Sequence, residues 1–277
     1  MEQETLELLT GLAEAGDAEA MEQAADYYFY KTNKQKLSKE TFDRIWSWYH
    51  TLAEQGNGHA MAVIGAMYYE GVNIKQDYTR ARQWYERAAA AGDVWGINNL
   101  GYCYYYGREV DVDDQKAWNY FGRAAALGNH CGMYKIGDMY YHGRYVDQSF
   151  KKAVYWYRRA ISLIDEDCPE YPNIAARIGH CALKGEGMEK DVLHALKWLQ
   201  AAEYGCYQFL LRGDAFAHLS FPGVKEDLAE ARALLETAIA ARVRWCSIPD
   251  IESRCLAPFR QWLLFKKLKR KSFSLGD

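Results

Sequence analysis

The sequence is poor in the features that mark membrane proteins and the common classes of enzyme. No stretch of its 277 residues approaches the roughly 18 consecutive apolar residues that a membrane helix requires. Residues 1–16 are acidic and contain no uninterrupted apolar stretch, so we expect no export signal in them. The chain has no glycine-rich phosphate loop, zincin helix or nucleophile elbow. We therefore expect a cytoplasmic protein that is not an enzyme and does not enter a membrane.

Net charge and cysteine content argue against further classes of protein, namely those that bind nucleic acid or membranes and those built on disulfide bonds. The formal net charge is −3 and the pI is about 6.2, which gives no overall attraction to nucleic acid or to an anionic membrane. The seven cysteines are odd in number and irregularly spaced, unlike a disulfide framework. Most of them are interpreted as small buried apolar residues in a reducing compartment. We predict neither a nucleic-acid partner nor a membrane partner.

The main feature that the chain does contain is an internal repeat. Apolar residues recur at intervals of 36, 36, 42 and 36 residues, at Ile74, Val110, Val146, Met188 and Val224. Three other residue classes keep the same spacing: Asp77, Asp113, Ser149, Asp191 and Asp227; Ala81, Ala117, Ala153, Ala195 and Ala231; and Trp84, Tyr120, Trp156, Trp198 and Leu234. Such a period indicates one supersecondary unit copied along the chain, each copy burying its apolar face against its neighbours.

Each unit reads as two amphipathic helices joined by a turn. Apolar residues fall at three- and four-residue steps on both sides of a glycine. Gly71 is predicted to end a first helix, and Asp77 to cap the second one with its side-chain oxygen. Gly92 is predicted to close that second helix in a left-handed conformation. In the last unit, Asp227 and Glu230 have the spacing of a capping box.

This pattern resembles a known repeat. Residues 100–128, LGYCYYYGREVDVDDQKAWNYFGRAAALG, resemble the Sel-1-like repeat, a relative of the tetratricopeptide repeat. The same pattern continues with falling quality over 58–93, 130–161, 172–206 and 207–240. An upstream unit also fits, since Ala25 and Trp48 match Gly65 and Trp84.

The resemblance implies an all-α fold, a right-handed α-solenoid superhelix of helix-turn-helix repeats. We expect residues 1–240 to form this solenoid and residues 241–277 to supply a C-terminal capping helix and a basic tail. The tail, which begins near Lys266, is interpreted as a solvated helix end. About six repeats are predicted: 17–57, 58–93, 94–129, 130–165, 172–206 and 207–240.

The array departs from its period in two places. Six extra residues follow Ala160, and Pro169 and Pro172 predict a loop there. The last unit carries Arg212 where other units carry isoleucine or leucine, and it needs more residues around Pro222. Terminal repeats often diverge in this way, because one of their faces meets solvent.

Candidate binding residues follow from the geometry of the resembled family, which implies that certain positions of each first helix line the hollow of the superhelix. The middle of this hollow is rich in aromatic residues, whose rigid rings provide contact area at low entropic cost. The alternative is that several of these tyrosines pack between neighbouring first helices. The ten candidates are Tyr69, Trp95, Asn98, Tyr102, Tyr105, Tyr106, Tyr134, Asp138, Tyr141 and His142.

A metal site is not predicted. His142, His180 and His218 also take hollow-facing positions, where Asp138 or Glu70 would be the nearest acidic partners. Metal ligands are usually spaced at short fixed intervals, however, and these residues lie in different repeats. We therefore predict no metal and no cofactor.

The functional hypothesis is a non-enzymatic scaffold or adaptor that binds a peptide or a protein segment in the aromatic groove. Members of the resembled family typically act as adaptors in protein complexes and bacterial signalling, so this rests on analogy. One alternative is an immunity partner that neutralises a toxin. Another is a hydrolase of cell-wall or penicillin chemistry, which the missing export signal and the lack of regularly paired cysteines disfavour. The oligomeric state is left open.

Overall fold

The computed structural model describes residues 3–31, 37–211 and 217–245, and these residues form helices and no strands. The helices are α1 (Gln3–Glu14), α2 (Ala18–Asp26), α3 (Lys39–Glu54), α4 (Gly58–Glu70), α5 (Tyr78–Ala90), α6 (Val94–Tyr106), α7 (Asp114–Ala126), α8 (His130–His142), α9 (Phe150–Ile161), α10 (Tyr171–Lys184), α11 (Val192–Leu211) and α12 (Ala217–Trp245). A π-helical turn, Tyr27–Lys31, follows α2. The predicted all-α class is confirmed.

Consecutive helices stack as the repeat predicts. The first helices α4, α6, α8 and α10 each pack against the second helix that follows, and α5, α7 and α9 pack against the first helix of the next unit. The first helices also contact one another, α4 with α6 and α6 with α8. This is the arrangement of an α-solenoid. The right hand of the superhelix stays a prediction.

The turns and caps of the complete repeats match the predictions. Gly71 ends α4 with a left-handed φ of 73°, and Gly92 follows α5 with a φ of 85°. The side chain of Asp77 accepts the backbone N–H of Arg80 at 2.9 Å and so caps α5. The corresponding residues Asp113, Ser149 and Asp191 cap the next second helices in the same way.

Small residues allow the two helices of a unit to approach closely. A Cβ atom added to Gly137 would lie 2.5 Å from the Tyr157 ring, and one added to Gly101 would lie 2.6 Å from Phe121. In both cases the contacting ring follows the repeated aromatic position, Tyr157 after Trp156 and Phe121 after Tyr120. Trp156 itself is half-buried at the side of the contact. Successive side chains on a helix point about 100° apart, so Tyr157 faces Gly137 while Trp156 lies to the side of the contact.

The last unit differs from the predicted pattern. Helix α11 continues to Leu211, and α12 runs from Ala217 to Trp245 through Pro222. Asp227 therefore lies inside α12 instead of at its amino end, and the predicted capping role of Asp227 is wrong. The predicted 162–170 loop is present, but Pro172 lies in the first turn of α10, where proline is well tolerated.

The chain divides into two compact units, residues 1–228 and residues 229–277. Helices α1 to α11 belong to the first unit. In the second unit, residues 229–245 of α12 are described. The predicted capping helix and basic tail, including Lys266, Lys267, Lys269, Arg270 and Lys271, lie outside the described residues.

Candidate binding face and polar clusters

We call the solvent-facing surface of the first helices α2, α4, α6, α8 and α10 the first-helix face. All ten predicted binding residues belong to three of these helices, α4, α6 and α8. Trp95, Tyr106 and His142 are exposed, the two aromatic residues by 42% and 47%. Asn98 and Asp138 are almost fully buried, at 1% and 3% exposure. The remaining five are half-buried: Tyr69, Tyr102, Tyr105, Tyr134 and Tyr141. The candidates thus separate into surface residues and packing residues.

Packing within one repeat fixes two of the half-buried tyrosines, whereas the alternative raised from the sequence was packing between neighbouring first helices. Tyr102 stacks on Tyr106 with ring centroids 6.0 Å apart and also meets the edge of Phe121 at 5.2 Å. Tyr134 contacts the Tyr157 ring at 6.0 Å. These contacts hold the rings in fixed positions beneath the surface.

A buried lysine lies at the centre of this aromatic group. Lys135 is 7% exposed, and its ammonium lies 4.9 to 5.7 Å from the centroids of four tyrosine rings: Tyr102, Tyr105, Tyr106 and Tyr134. Cation–π attraction of this kind is strongest when the cation is desolvated. Burial would lower the pKa of Lys135, but Tyr134 and Asp138 outweigh it and raise that pKa. The ammonium therefore stays charged.

Asp138 ties three helices together. Its Oδ1 accepts the Tyr157 hydroxyl at 2.8 Å and the Arg177 Nε–H at 3.1 Å, and its Oδ2 lies 3.5 Å from the Lys135 ammonium. Burial, together with the charge of Asp138, raises the pKa of Tyr134 to about 12. Asp138 is thus fully engaged inside the protein, and a ligand-binding role for it stays a prediction.

The sequence interpretation missed Lys135 and Arg177. They fall two residues before Gly137 and Gly179, which hold the position of Gly65 in their own units. From the sequence, this position was not assigned to the hollow. In the unit of Gly65 the corresponding residue is Val63, which is buried. A charged residue where a related unit carries a buried apolar one was the available signal, because a buried charge requires a partner.

Asn98 is the second buried candidate. Its Oδ1 is buried and has no hydrogen-bond partner among the described residues. At 1% exposure the side chain does not form part of the surface. Asn98 therefore lies beneath the first-helix face.

His142 and His180, two of the three histidines considered as metal ligands, do not share a metal-ligand cluster among the described residues. His180 Nδ1 lies 2.8 Å from Asp227 Oδ2, and its Nε2 lies 3.9 Å from Glu186. Glu186 also accepts the Tyr141 hydroxyl at 2.6 Å. His142 is exposed, and the side chain of His218 lies outside the described residues. No metal-ligand cluster of the described residues includes His142 or His180.

A different polar cluster lies at the amino-terminal end of α8. His130 Nε2 is 3.4 Å from Glu170 Oε2 and 3.6 Å from Cys168 Sγ, and the Cys168 thiol donates to the same glutamate oxygen at 3.1 Å. All three residues are half-buried. His130 also meets the edge of Trp95 at 5.7 Å between ring centroids, so the cluster borders the first-helix face.

The 162–170 loop, which accommodates the six extra residues of the sequence, supplies two of these three groups. A hydrogen bond from Cys168 N to Asp165 O at 3.2 Å fixes the loop before helix α10. Burial, with a contribution from Glu170, raises the pKa of Cys168 to about 12, so this thiol is protonated at neutral pH. Burial would raise the pKa of Glu170, but hydrogen bonds with His130 and Cys168 outweigh it and lower that pKa. As it stands, the cluster lacks the thiolate that a cysteine nucleophile requires.

Stacked helix pairs with capped turns and a shared first-helix face define an α-solenoid repeat protein. The Sel1 repeat family model matches residues 58–93, 96–129, 132–165, 175–204 and 212–242, together more than half of the chain. The chain therefore belongs to the Sel1 repeat family, whose repeats mediate protein–protein interactions.

Solved structures share this fold. A protective antigen present in uropathogenic Escherichia coli strains, c5321, is 27% identical with a TM-score of 0.58, over 85% of this chain and 48% of that one. The chain thus spans about half the length of that antigen. A Sel1 repeat protein from Oxalobacter formigenes is 23% identical with a TM-score of 0.53, over 68% of this chain and 74% of that one.

A weaker similarity is to the immunity protein Pa5087 from Pseudomonas aeruginosa, with a TM-score of 0.46 and 19% identity over 79% of this chain and 77% of that one. No curated protein matches the sequence. An immunity role for this chain stays a prediction. Within the described part of the chain, no helix combines the length and apolar character needed to cross a bilayer.

Proposed function

We propose that this protein is a non-enzymatic scaffold that binds a peptide or protein segment on its first-helix face. The observation that carries the proposal is the exposure of Trp95 and Tyr106 on α6, with Tyr30 of the upstream unit 55% exposed as well. Large aromatic residues are the side chains most often found at the energetic centre of protein interfaces. Their exposure on the face that repeat proteins use for binding favours this face as the contact surface.

The exposed rings are supported from below, which suits them to binding. Tyr106 stacks on Tyr102, and its hydroxyl accepts a hydrogen bond from Lys135 at 3.3 Å. Trp95 rests against His130. Rings that are already fixed lose little conformational entropy when a partner covers them. We also place the protein in the cytoplasm, since a reducing compartment suits the free thiols of Cys103, Cys131, Cys168, Cys181 and Cys206.

The test is affinity capture from an extract of the native cell, with mass spectrometry of the bound proteins. The wild-type chain is compared with a Trp95→Ala, Tyr106→Ala double variant. We expect a reproducible partner to be lost, because removal of one interface anchor typically costs about 2 kcal/mol or more in binding free energy.

The matched control is Tyr155→Ala, because Tyr155 is an aromatic residue with 59% exposure on the second helix α9. This variant should retain the partner. Equal capture by the double variant and the wild type, with unchanged circular dichroism, would reject the first-helix face as the binding surface. Saturable turnover of a small molecule by the purified protein would reject the non-enzymatic assignment.

A further inference from the structure

The half-buried cluster of His130, Cys168 and Glu170 has the composition of a zinc site. It presents one imidazole nitrogen, one thiol sulfur and one carboxylate oxygen, which are the three ligand types that Zn²⁺ takes from proteins. The ligand atoms lie 3.1, 3.4 and 3.6 Å from one another. Ligands bound at about 2.0–2.3 Å to a tetrahedral zinc are separated by about 3.3–3.8 Å. An ion between the three groups needs little movement of any of them.

The position of Glu170 is a second observation. Glu170 occupies the N-cap position of α10, but its side chain makes no capping hydrogen bond to that helix. Its carboxylate instead meets His130 and Cys168. Three groups suited to one cation thus converge at the amino-terminal end of α10, where the Glu170 side chain does not cap the helix.

The loop geometry explains why these residues meet although they are far apart in sequence. His130 begins α8, while Cys168 and Glu170 flank Pro169 in the loop that the period of the repeat does not require. Proline restricts the backbone between the two ligands. A hydrogen bond from Tyr171 N to Cys168 O at 3.0 Å closes the turn. The loop therefore carries two ligands on a fixed segment to the amino-terminal end of α8.

We propose that His130, Cys168 and Glu170 bind a zinc ion, with the fourth position of the tetrahedron left for water. The ion would fasten the 162–170 loop to α8 beside Trp95, at the edge of the first-helix face. This proposal does not depend on the identity of a protein partner. It concerns metal binding alone and is tested on the purified chain.

The experiment is titration of the reduced, metal-free full-length protein with Zn²⁺, monitored by calorimetry, and with Co²⁺ as a spectroscopic probe. We expect one ion per chain and a thiolate-to-cobalt charge-transfer band. In Cys168→Ala the band should weaken or vanish, and zinc affinity should fall at least about 100-fold, the upper end of what loss of an outer-shell partner costs. Glu170→Gln should weaken zinc binding in the same direction.

The matched control is Cys206→Ala, which removes a buried thiol of α11 outside the cluster. It should bind both ions like the wild type. Circular dichroism of each variant shows whether its helices are retained. A missing charge-transfer band in the wild type, or equal zinc affinity in wild type and a folded Cys168→Ala variant, would overturn the proposal.

Discussion

The upstream unit (α2 and α3) and the central unit (α8 and α9) use the same arrangement of side chains in different surroundings. Asp26 follows the small residue Ala25 just as Asp138 follows Gly137. Each aspartate accepts a tyrosine hydroxyl from the second helix of its unit: Tyr49 at 2.7 Å and Tyr157 at 2.8 Å. Each also meets a nitrogen from the first helix of the next unit: His59 Nε2 at 3.0 Å and Arg177 Nε at 3.1 Å.

The two arrangements differ in burial and in the permanence of charge. The Asp26 side chain is 35% exposed and its partner His59 is titratable, whereas the Asp138 side chain is 4% exposed and pairs with Arg177, which stays charged. The family model matches residues 132–165 but not the upstream unit. The same contact between repeats is thus present where the repeat sequence has diverged. Its expected contribution to the free energy of unfolding changes with its exposure to solvent.

The largest effect is expected from removing the buried charge. Asp138→Asn keeps an acceptor for the Tyr157 hydroxyl but leaves Lys135 and Arg177 without their carboxylate. We expect a loss of about 3 kcal/mol or more in the free energy of unfolding, because a buried cation without a partner is costly. Urea unfolding followed by circular dichroism measures this change.

The matched substitution in the upstream unit is Asp26→Asn. Because Asp26 and His59 are partly exposed, we expect it to cost about 1 kcal/mol or less. Equal losses in the free energy of unfolding for Asp26→Asn and Asp138→Asn would show that solvent exposure does not determine how much this contact stabilises the protein. The contrast between the two units would then be removed.

A smaller effect is expected where the two helices of the central unit touch. Gly137→Ala places a methyl group 2.5 Å from the Tyr157 ring, at the position that Ala25 holds in the upstream unit. The ring or the helices must move, at a cost of about 1–3 kcal/mol. The better helix propensity of alanine offsets about 0.5–1 kcal/mol of this. Urea unfolding should therefore show a net loss of stability.

Gly122→Ala is the control, since Gly122 lies within α7 and a Cβ atom there would meet nothing within 4 Å. This variant should gain about 0.5–1 kcal/mol in stability. If Gly137→Ala gained as much as Gly122→Ala, the close approach in the central unit would not need glycine, and both units would tolerate a methyl group equally.

The sequence predicted the elements that depend on local rules. Turn glycines such as Gly71 and helix caps such as Asp77 depend on the conformation of a few neighbouring residues. Their regular spacing in the sequence was therefore sufficient to predict them. The interaction of Asp138 with Arg177 depends on how successive units pack. The spacing of residues within one repeat does not predict the distance between residues of two different repeats. The His130, Cys168 and Glu170 cluster was missed for the same reason. Asp227 was misassigned because the local capping pattern ignores a helix that starts earlier.

The smallest predicted effect is the pH dependence of the Asp26–His59 pair. A hydrogen bond with Asp26 raises the pKa of His59, although burial opposes this, and the charges of Asp26, Glu22 and Asp93 add to the increase. The folded protein therefore holds this proton more tightly than the unfolded chain. The stabilisation is fully present below the ordinary histidine pKa of about 6.5 and is lost as the pH rises through the higher folded-state pKa.

This effect is measured as the difference in unfolding free energy between the wild type and His59→Gln across that pH range. The subtraction is necessary because burial lowers the pKa of His50 and of His142, whose contributions have the opposite sign. We expect a difference of at most about 1 kcal/mol at low pH that declines as the pH rises. The corresponding difference for Arg177→Gln should not decline as the pH rises. Arg177 does not titrate in this range, and its charge helps burial to lower the pKa of His142, so removing it relieves a cost that is present only at low pH. A His59 difference that is flat, or that grows with pH, would mean that Asp26 holds a neutral imidazole, and the two units would no longer differ in titratable charge.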